Sequence, residues 1–227
     1  MSRPSHRGAT ARRRPPAAEE PTVVRLSAPK LRRGGSLEQA MRRRRTTREI
    51  SDRRLPPQVL SDLLWAACGV NRRRGPFGGP GLTAASASNS QEIELFLALE
   101  EGVYRYDARG HRLLPVLSRD LRALAIGRGQ RNAGMKAPVQ LIYVVDVHRL
   151  THTEGFLEPG LQDPEVQKSY YYVDTGLIAA NVYLFAASRG LAAWFHNCDR
   201  AALAAALPLS VAERVLFAQS VGYPARR

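Results

Sequence analysis

Tyr170-Tyr171-Tyr172-Val173-Asp174-Thr175-Gly176-Leu177-Ile178-Ala179-Ala180-Asn181-Val182-Tyr183-Leu184-Phe185-Ala186-Ala187-Ser188 is the longest helical signal in this chain. Val173, Leu177, Ala180, Leu184 and Ala187 recur at helical spacing along one face, and Ile178, Val182 and Phe185 add a second. A helix apolar over so wide an arc is covered on both sides, which suits a position at a subunit interface. Gly190 closes it.

Outward from this helix, strands and helices interleave. Leu191–Phe195 reads as a strand, Asp199 as the cap of a helix over Arg200–Leu207, and Val215–Tyr223 as a last strand. Upstream, Val139–Val145 is a continuous apolar run that fits the middle of a sheet. Ile93, Leu95, Leu97 and Leu99 alternate as a strand. Val103–Tyr106 and His111–Val116 form a hairpin about a turn at Asp107–Gly110. A short helix is expected over Asp120–Ile126. Ser36-Leu37-Glu38-Gln39 is a capping-box pattern opening a helix to about Arg45. Pro56-Pro57 starts another, with Val59, Leu60, Leu63, Leu64 and Ala67 on its inner face and Gly69 at its end. Residues 71–83 read as a Gly/Pro loop. The hairpin within an interleaved order favours α+β over a doubly wound parallel sheet.

The formal net charge of +14 suggests a nucleic-acid partner until it is located. Residues 1–54 hold 16 Lys and Arg against 5 Asp and Glu, whereas the rest of the chain holds 18 against 15. Basicity therefore belongs to the N-terminal quarter. Residues 1–34, rich in Arg, Pro, Ala and Ser without periodicity, read as a basic disordered tail ahead of one domain over 35–227. Two cysteines without paired spacing, Cys68 and Cys198, point away from a disulfide framework or a cysteine zinc site. Arg12-Arg13-Arg14 is followed by prolines and acids rather than an apolar segment, and no apolar run reaches membrane-spanning length. A cytoplasmic, soluble protein is expected.

Chemistry-bearing motifs are few. In Arg42-Arg43-Arg44-Arg45-Thr46-Thr47-Arg48 the alternate residues Arg44, Thr46 and Arg48 share one face of an extended segment. Two guanidiniums flanking a hydroxyl suit a terminal phosphate, although a solvated basic cluster explains the same residues. Ser86-Ala87-Ser88-Asn89-Ser90-Gln91 offers amides to a heterocycle edge, or else caps the following strand with Asx and ST turns. Trp194-Phe195-His196-Asn197-Cys198-Asp199 ends a strand where ligands bind, or supplies core aromatics and an Asp cap. The scattered histidines lack metal-ligand spacing, so no metal site is expected. There is no nucleophile elbow or P-loop, and Gly78-Gly79-Pro80-Gly81 lacks the context of a dinucleotide fingerprint.

Taken in order, these segments resemble the nitroreductase family of flavoenzymes. Arg44-x-Thr46-x-Arg48 resembles its Arg-x-Ser-x-Arg/Lys phosphate motif, and Ser86-x-x-Asn89-Ser90-Gln91 its Pro-Ser-x-x-Asn-x-Gln flavin segment. Residues Ala179 to Leu191, ending Ala-Ala-x-x-Gly-Leu, resemble its dimer helix, and Val221-Gly222-Tyr223-Pro224 its closing strand. The hairpin Gly102-Val103-Tyr104-Arg105-Tyr106-Asp107 is similar to the branch that includes SagB-type azoline dehydrogenases. The likeness covers residues 36–224.

It implies an α+β fold with a mixed, mainly antiparallel sheet flanked by helices. It also implies an obligate homodimer with one FMN at each subunit interface. Arg44, Thr46 and Arg48 would hold the phosphate, and Ser86, Asn89 and Gln91 the ribityl chain or ring. Backbone groups around His196 and Asn197 would lie near flavin N5 and the pyrimidine edge. NAD(P)H would give hydride to N5, and a nitro, quinone or related small-molecule acceptor would then take the electrons. No protein nucleophile is required. Thr46 stands where the family has Ser, Ala85 where it has Pro, and Leu82 where the nearest branch often has Arg. The basic group usual beyond Gly-Tyr-Pro is represented by Arg226 and Arg227. Alternatives are a peptide azoline dehydrogenase, a flavin-binding protein without turnover, and a nucleic-acid binder acting through the basic tail.

Overall fold

Seven strands form one sheet in a computed structural model that describes residues 22–30, 35–130 and 137–225. In chain order the elements are β1 (Val24–Arg25), α1 (Leu37–Arg43), α2 (Pro57–Cys68), β2 (Val70–Arg72), β3 (Gly81–Leu82), β4 (Ile93–Ala98), β5 (Val103–Asp107) and β6 (Arg112–Leu117). There follow β7 (Val139–Asp146), α3 (Val147–Thr151), α4 (Pro164–Arg189), β8 (Ala192–His196), α5 (Arg200–Ala206) and β9 (Glu213–Gly222). The order across the sheet is β1-β6-β5-β4-β7-β9-β8, and each neighbouring pair is antiparallel. The α+β class with a mainly antiparallel sheet is what the sequence led us to expect. β2 and β3 form a separate two-stranded ribbon within the Gly/Pro segment.

Alternation along the strands sorts two apolar layers. Leu95, Leu97, Leu141, Tyr143 and Val145 pack with Leu63 and Leu64 of α2 and Ile178 and Val182 of α4. Phe96, Ala98, Ile142, Val144 and Ala218 face the other way, against Leu121, Ala125 and Leu203 of α5. Coverage on both faces explains why β7 reads as an unbroken apolar run even in an antiparallel sheet.

α4 begins earlier than its periodicity shows. Asp163 caps it by accepting from the Glu165 N–H, and Pro164 supplies a first-turn residue with no orphan N–H. Gly190 ends it at φ 67°, a left-handed position that glycine takes without a Cβ clash. Ile178, Val182 and Phe185 turn inward, whereas Val173 and Leu177 remain 60% and 41% exposed. The two apolar faces in the sequence are thus a core face and an uncovered one.

Three expectations needed correction. Asp120–Ile126 forms turns, not a helix: Asp120 Oδ1 takes the Arg122 N–H at 2.9 Å, and the Gly127 N–H leaves for the Asn197 carbonyl. The first helix stops at Arg43, with the Arg44 N–H closing on Ala40 O. Most of the expected tail lies outside the described residues, but 22–30 is tied down. β1 pairs with β6, and the Lys30 N–H donates to buried Asp62 at 2.7 Å. Gln58 reaches Ala28 O and Arg189 reaches Lys30 O, each at 2.9 Å.

Candidate cofactor site

Beyond Arg43 the chain leaves the helix and docks beside the sheet. The Thr47 N–H donates to Ala193 O of β8 at 3.0 Å. Ile50 bridges Pro224, the Ser51 N–H bonds Tyr223 O, and the Ala225 N–H bonds Glu49 O. The Arg-Thr-Arg segment is thereby fixed between the C-terminal end of α4 and the closing strand. Arg44, Thr46 and Arg48 line one groove of about 930 Å³ with Tyr183, Gly190 and Pro224.

Tyr183 organises this groove. Its hydroxyl accepts the Phe195 N–H at 2.8 Å and stands 3.1 Å from Thr46 Oγ1. With Tyr183 donating to Thr46, the threonine proton is left to point at an anion. The Arg44 guanidinium lies 5.7 Å from the Tyr183 ring centroid, and that of Arg48 lies 5.6 Å from Trp194. Neither has a carboxylate partner among the described residues. Two uncompensated guanidiniums beside a donating hydroxyl fit a phosphate by charge and hydrogen-bond count. Arg226 lies outside the described residues; Ala225, just before it, lines the groove.

Ser86, Asn89 and Gln91 lie elsewhere. They belong to a tight loop in which Ser88, Asn89 and Gln91 take φ of 49°, 55° and 53°. Three side-chain-bearing residues in the left-handed region need a surrounding structure that holds them there. Ser86 Oγ accepts the Gln91 N–H at 3.0 Å, and Ser88 Oγ donates to Gly155 O at 2.7 Å. A Cβ at Gly155 would fall 2.6 Å from that hydroxyl, so the approach requires glycine. Asn89 Nδ2 donates to Pro76 O and Pro80 O, and Gln91 Nε2 to Pro80 O at 2.6 Å. Their N–H groups therefore knit the 76–80 loop to the 86–91 loop. Around them lies a second pocket of about 520 Å³, walled by Phe77, Arg109 and Arg149.

The two groups sit against the middle and the C-terminal end of α4. Ala87 N–H bonds Asp174 Oδ2 at 2.8 Å, whereas Ala186 lines the arginine groove. Twelve helical residues separate those positions, about 18 Å at the usual rise. One chain does not unite the two halves.

His196 joins neither pocket. It pairs with Ala218 across the strands, on the sheet face away from α4. Its Nε2 lies 2.8 Å from Ser220 Oγ and its Nδ1 2.9 Å from Asn197 O. Burial holds this imidazole below the usual histidine range. Asn197 is exposed, and its carbonyl also takes the Gly127 N–H at 3.2 Å. The side chains of both serve the β8–α5 junction. Cys68 and Cys198 are buried, with thiols pushed up to about 12 and about 11 by desolvation, and neither is a nucleophile at neutral pH.

Tyr183, Glu92, Asp174 and Arg149 are polar residues that motif spacing alone did not single out. Glu92 and Asp174 are buried beneath the 86–91 loop, and Arg149 donates to Gln91 O at 2.9 Å. A buried acid inside an apolar helix, Asp174, was the one sequence signal available.

Comparison with known proteins shows the family. The nitroreductase family model matches residues 41–223. A nitroreductase-like protein of Methanocaldococcus jannaschii, MJ1384, is 30% identical over 162 residues, 68% of this chain and 75% of its own length. A nitroreductase-like protein of Ralstonia eutropha superposes with TM-score 0.78 at 30% identity, covering 97% of both chains. A chain of the E. coli microcin synthetase McbBCD complex has the same fold at TM-score 0.65 and 18% identity, over 81% of this chain and 70% of its own. So has a nitroreductase-like protein of Desulfovibrio desulfuricans solved with FMN, at TM-score 0.54 and 17% identity, over 85% and 88%. With the family model spanning the arginine groove, the 86–91 loop, α4 and the closing strand together, this chain belongs to the nitroreductase family.

Proposed function

We propose that the protein is a homodimeric flavin oxidoreductase that binds FMN between subunits and passes reducing equivalents from NAD(P)H to a small organic acceptor, a nitro compound or quinone. The observation that carries this reading is the pair of guanidiniums, Arg44 and Arg48, without a carboxylate partner among the described residues, flanking the Thr46 hydroxyl that hydrogen-bonds Tyr183. Bound FMN supplies two-electron redox chemistry. The chain's part is to hold the phosphate, position the ring and limit water.

The separation of the two half-sites supports a shared site. Val173 and Leu177 form an exposed apolar stripe on α4. A second copy related by a two-fold axis, with α4 antiparallel on α4, would cover that stripe. It would also bring the arginine groove of one subunit toward the 86–91 loop of its partner. The FMN in the D. desulfuricans relative agrees with this choice of cofactor.

The test starts with the visible spectrum of the purified protein after reconstitution with FMN, before and after anaerobic NADH or NADPH. Flavin absorption that bleaches with either reductant is expected. Unbleached flavin would leave a binding protein without turnover, and absent flavin would defeat the assignment. Arg44→Ala and Arg48→Ala should each weaken FMN binding about 10- to 100-fold, the worth of one charge-assisted hydrogen bond. Unchanged affinity in both variants refutes the phosphate groove. An acceptor panel containing nitroaromatics, quinones and a thiazoline peptide separates the proposed acceptors from a peptide azoline.

A further inference from the structure

Two carboxyl groups meet beneath the 86–91 loop without a cation. Glu92 is 0% and Asp174 4% exposed, and neither forms an ion pair among the described residues. Glu92 Oε2 accepts the Ser90 hydroxyl at 2.6 Å, but Oε1 is buried with no donor from another residue. Asp174 Oδ2 accepts the Ala87 N–H. Two adjacent carboxylates in a desolvated site cannot both be ionised, and a carboxyl proton is the donor that satisfies an orphaned carboxyl oxygen.

We propose that Glu92 and Asp174 share one proton and form a latch that fixes the Ser86–Gln91 loop, so that losing this proton loosens the loop that presents Asn89 and Gln91. Each carboxyl anchors one end of the same strained turn: Asp174 holds Ala87, and Glu92 holds Ser90. Between those anchors lie Ser88 and Asn89 with left-handed φ. The pair acts on the site through this backbone, as positioning residues. Burial, then the neighbouring Asp174 charge, pushes Glu92 up to about 8, which keeps the latch closed at neutral pH. Asp174 is the charged group facing Glu92 from α4. Toward α3 stand Asp146 and Arg149; Arg149 is committed to Glu94 at 2.6 Å, Asp146 at 3.5 Å and Gln91 O, so it does not compensate the pair. Glu154, near Ser88 in the same pocket wall, adds further negative charge.

The latch concerns the loop itself, and only its consequence for flavin rests on the proposed function. Hydrogen exchange followed by mass spectrometry on the full chain reads the peptide covering residues 86–92, corrected for the intrinsic pH dependence of exchange. Wild-type protection should fall as pH rises toward about 8, by up to about tenfold for each pH unit, and level off above it. Glu92→Gln, which stays neutral and keeps an acceptor for Ser90, should hold a flat profile. Glu92→Ala should be unprotected at every pH, so that Gln rescues what Ala loses. Difference infrared spectroscopy on wild type should show a protonated carboxyl band that titrates away as pH passes about 8 and is missing from Glu92→Gln. A flat wild-type profile, an identical profile in Glu92→Gln, or no protonated carboxyl band overturns the latch. Loop opening in a protein that binds FMN at no pH would support the latch and refute the proposed function instead.

Discussion

Glu92→Gln also changes global stability in a direction fixed by linkage. The wild-type carboxyl sits near its ordinary value of 4.5 in the unfolded chain and at about 8 in the fold. Between those values the folded state binds more protons than the unfolded state, so wild-type stability falls as pH rises. A shift of about 3.5 units at 1.36 kcal/mol each gives a ceiling of about 5 kcal/mol. Below about pH 4.5 both states carry the proton, and the contribution is fully present; above about 8 it is gone. Glutamine has no proton to lose, so the variant lacks this slope. In urea unfolding at a series of pH values, Glu92→Gln and wild type should lie within about 1 kcal/mol of each other at acid pH, because Gln preserves the Ser90 bond. The variant should then become progressively more stable than wild type, and the gap should level off above pH 8. Residual compactness of the unfolded chain changes both proteins alike. A gap that is independent of pH, or one that closes as pH rises, refutes a buried protonated Glu92.

Two further perturbations address the C-terminal end of α4. Removing residues 1–21 should leave the urea midpoint unchanged, whereas removing 1–30 should cost about 2–5 kcal/mol, because buried Asp62 and Ser61 lose backbone partners at Lys30 and Ser27. Equal stability of the two truncations would show that the 22–30 contacts contribute nothing. Tyr183→Phe removes the hydroxyl that joins Thr46 to the Phe195 N–H. FMN titration should show affinity lowered about 3- to 10-fold, and an unchanged affinity would remove Tyr183 from the groove.

What could be read from sequence was what repeats locally. α4 announced itself by spacing, the strands by alternation, and the first two helices by Ser36 and Pro56-Pro57 at their entries. What escaped depends on partners far along the chain. β1 is two residues long, too short for a periodic signal, and exists because β6 offers it an edge. Asp120–Ile126 has the apolar spacing of a helix, yet its polar first residue and Gly127 take other hydrogen bonds. Tyr183 and Asp174 read simply as members of a helix. Their roles come from Thr46 and Ala87, 137 and 87 residues away.

The arginine run shows how topology divides a composition signal. Arg42, Arg43 and Arg45 are exposed and make no ion pair among the described residues, as a solvated cluster would. Arg44 and Arg48 instead rest on the rings of Tyr183 and Trp194, so their positions are constrained by α4 and β8. Of the four short segments that resembled the family, three meet at one groove: Arg44–Arg48, the end of α4, and the turn at Pro224. The fourth, Ser86–Gln91, stays apart but is fastened to the same helix through Asp174. Helix α4 therefore sets the distance between the two groups within a chain, and its exposed Val173 and Leu177 are where the proposed second copy would pack. Of the polar residues along this helix, Asp174 reaches the 86–91 loop and Tyr183 the arginine groove, whereas Thr175 and Asn181 spend their hydrogen bonds on Tyr171 O and Ala67 O.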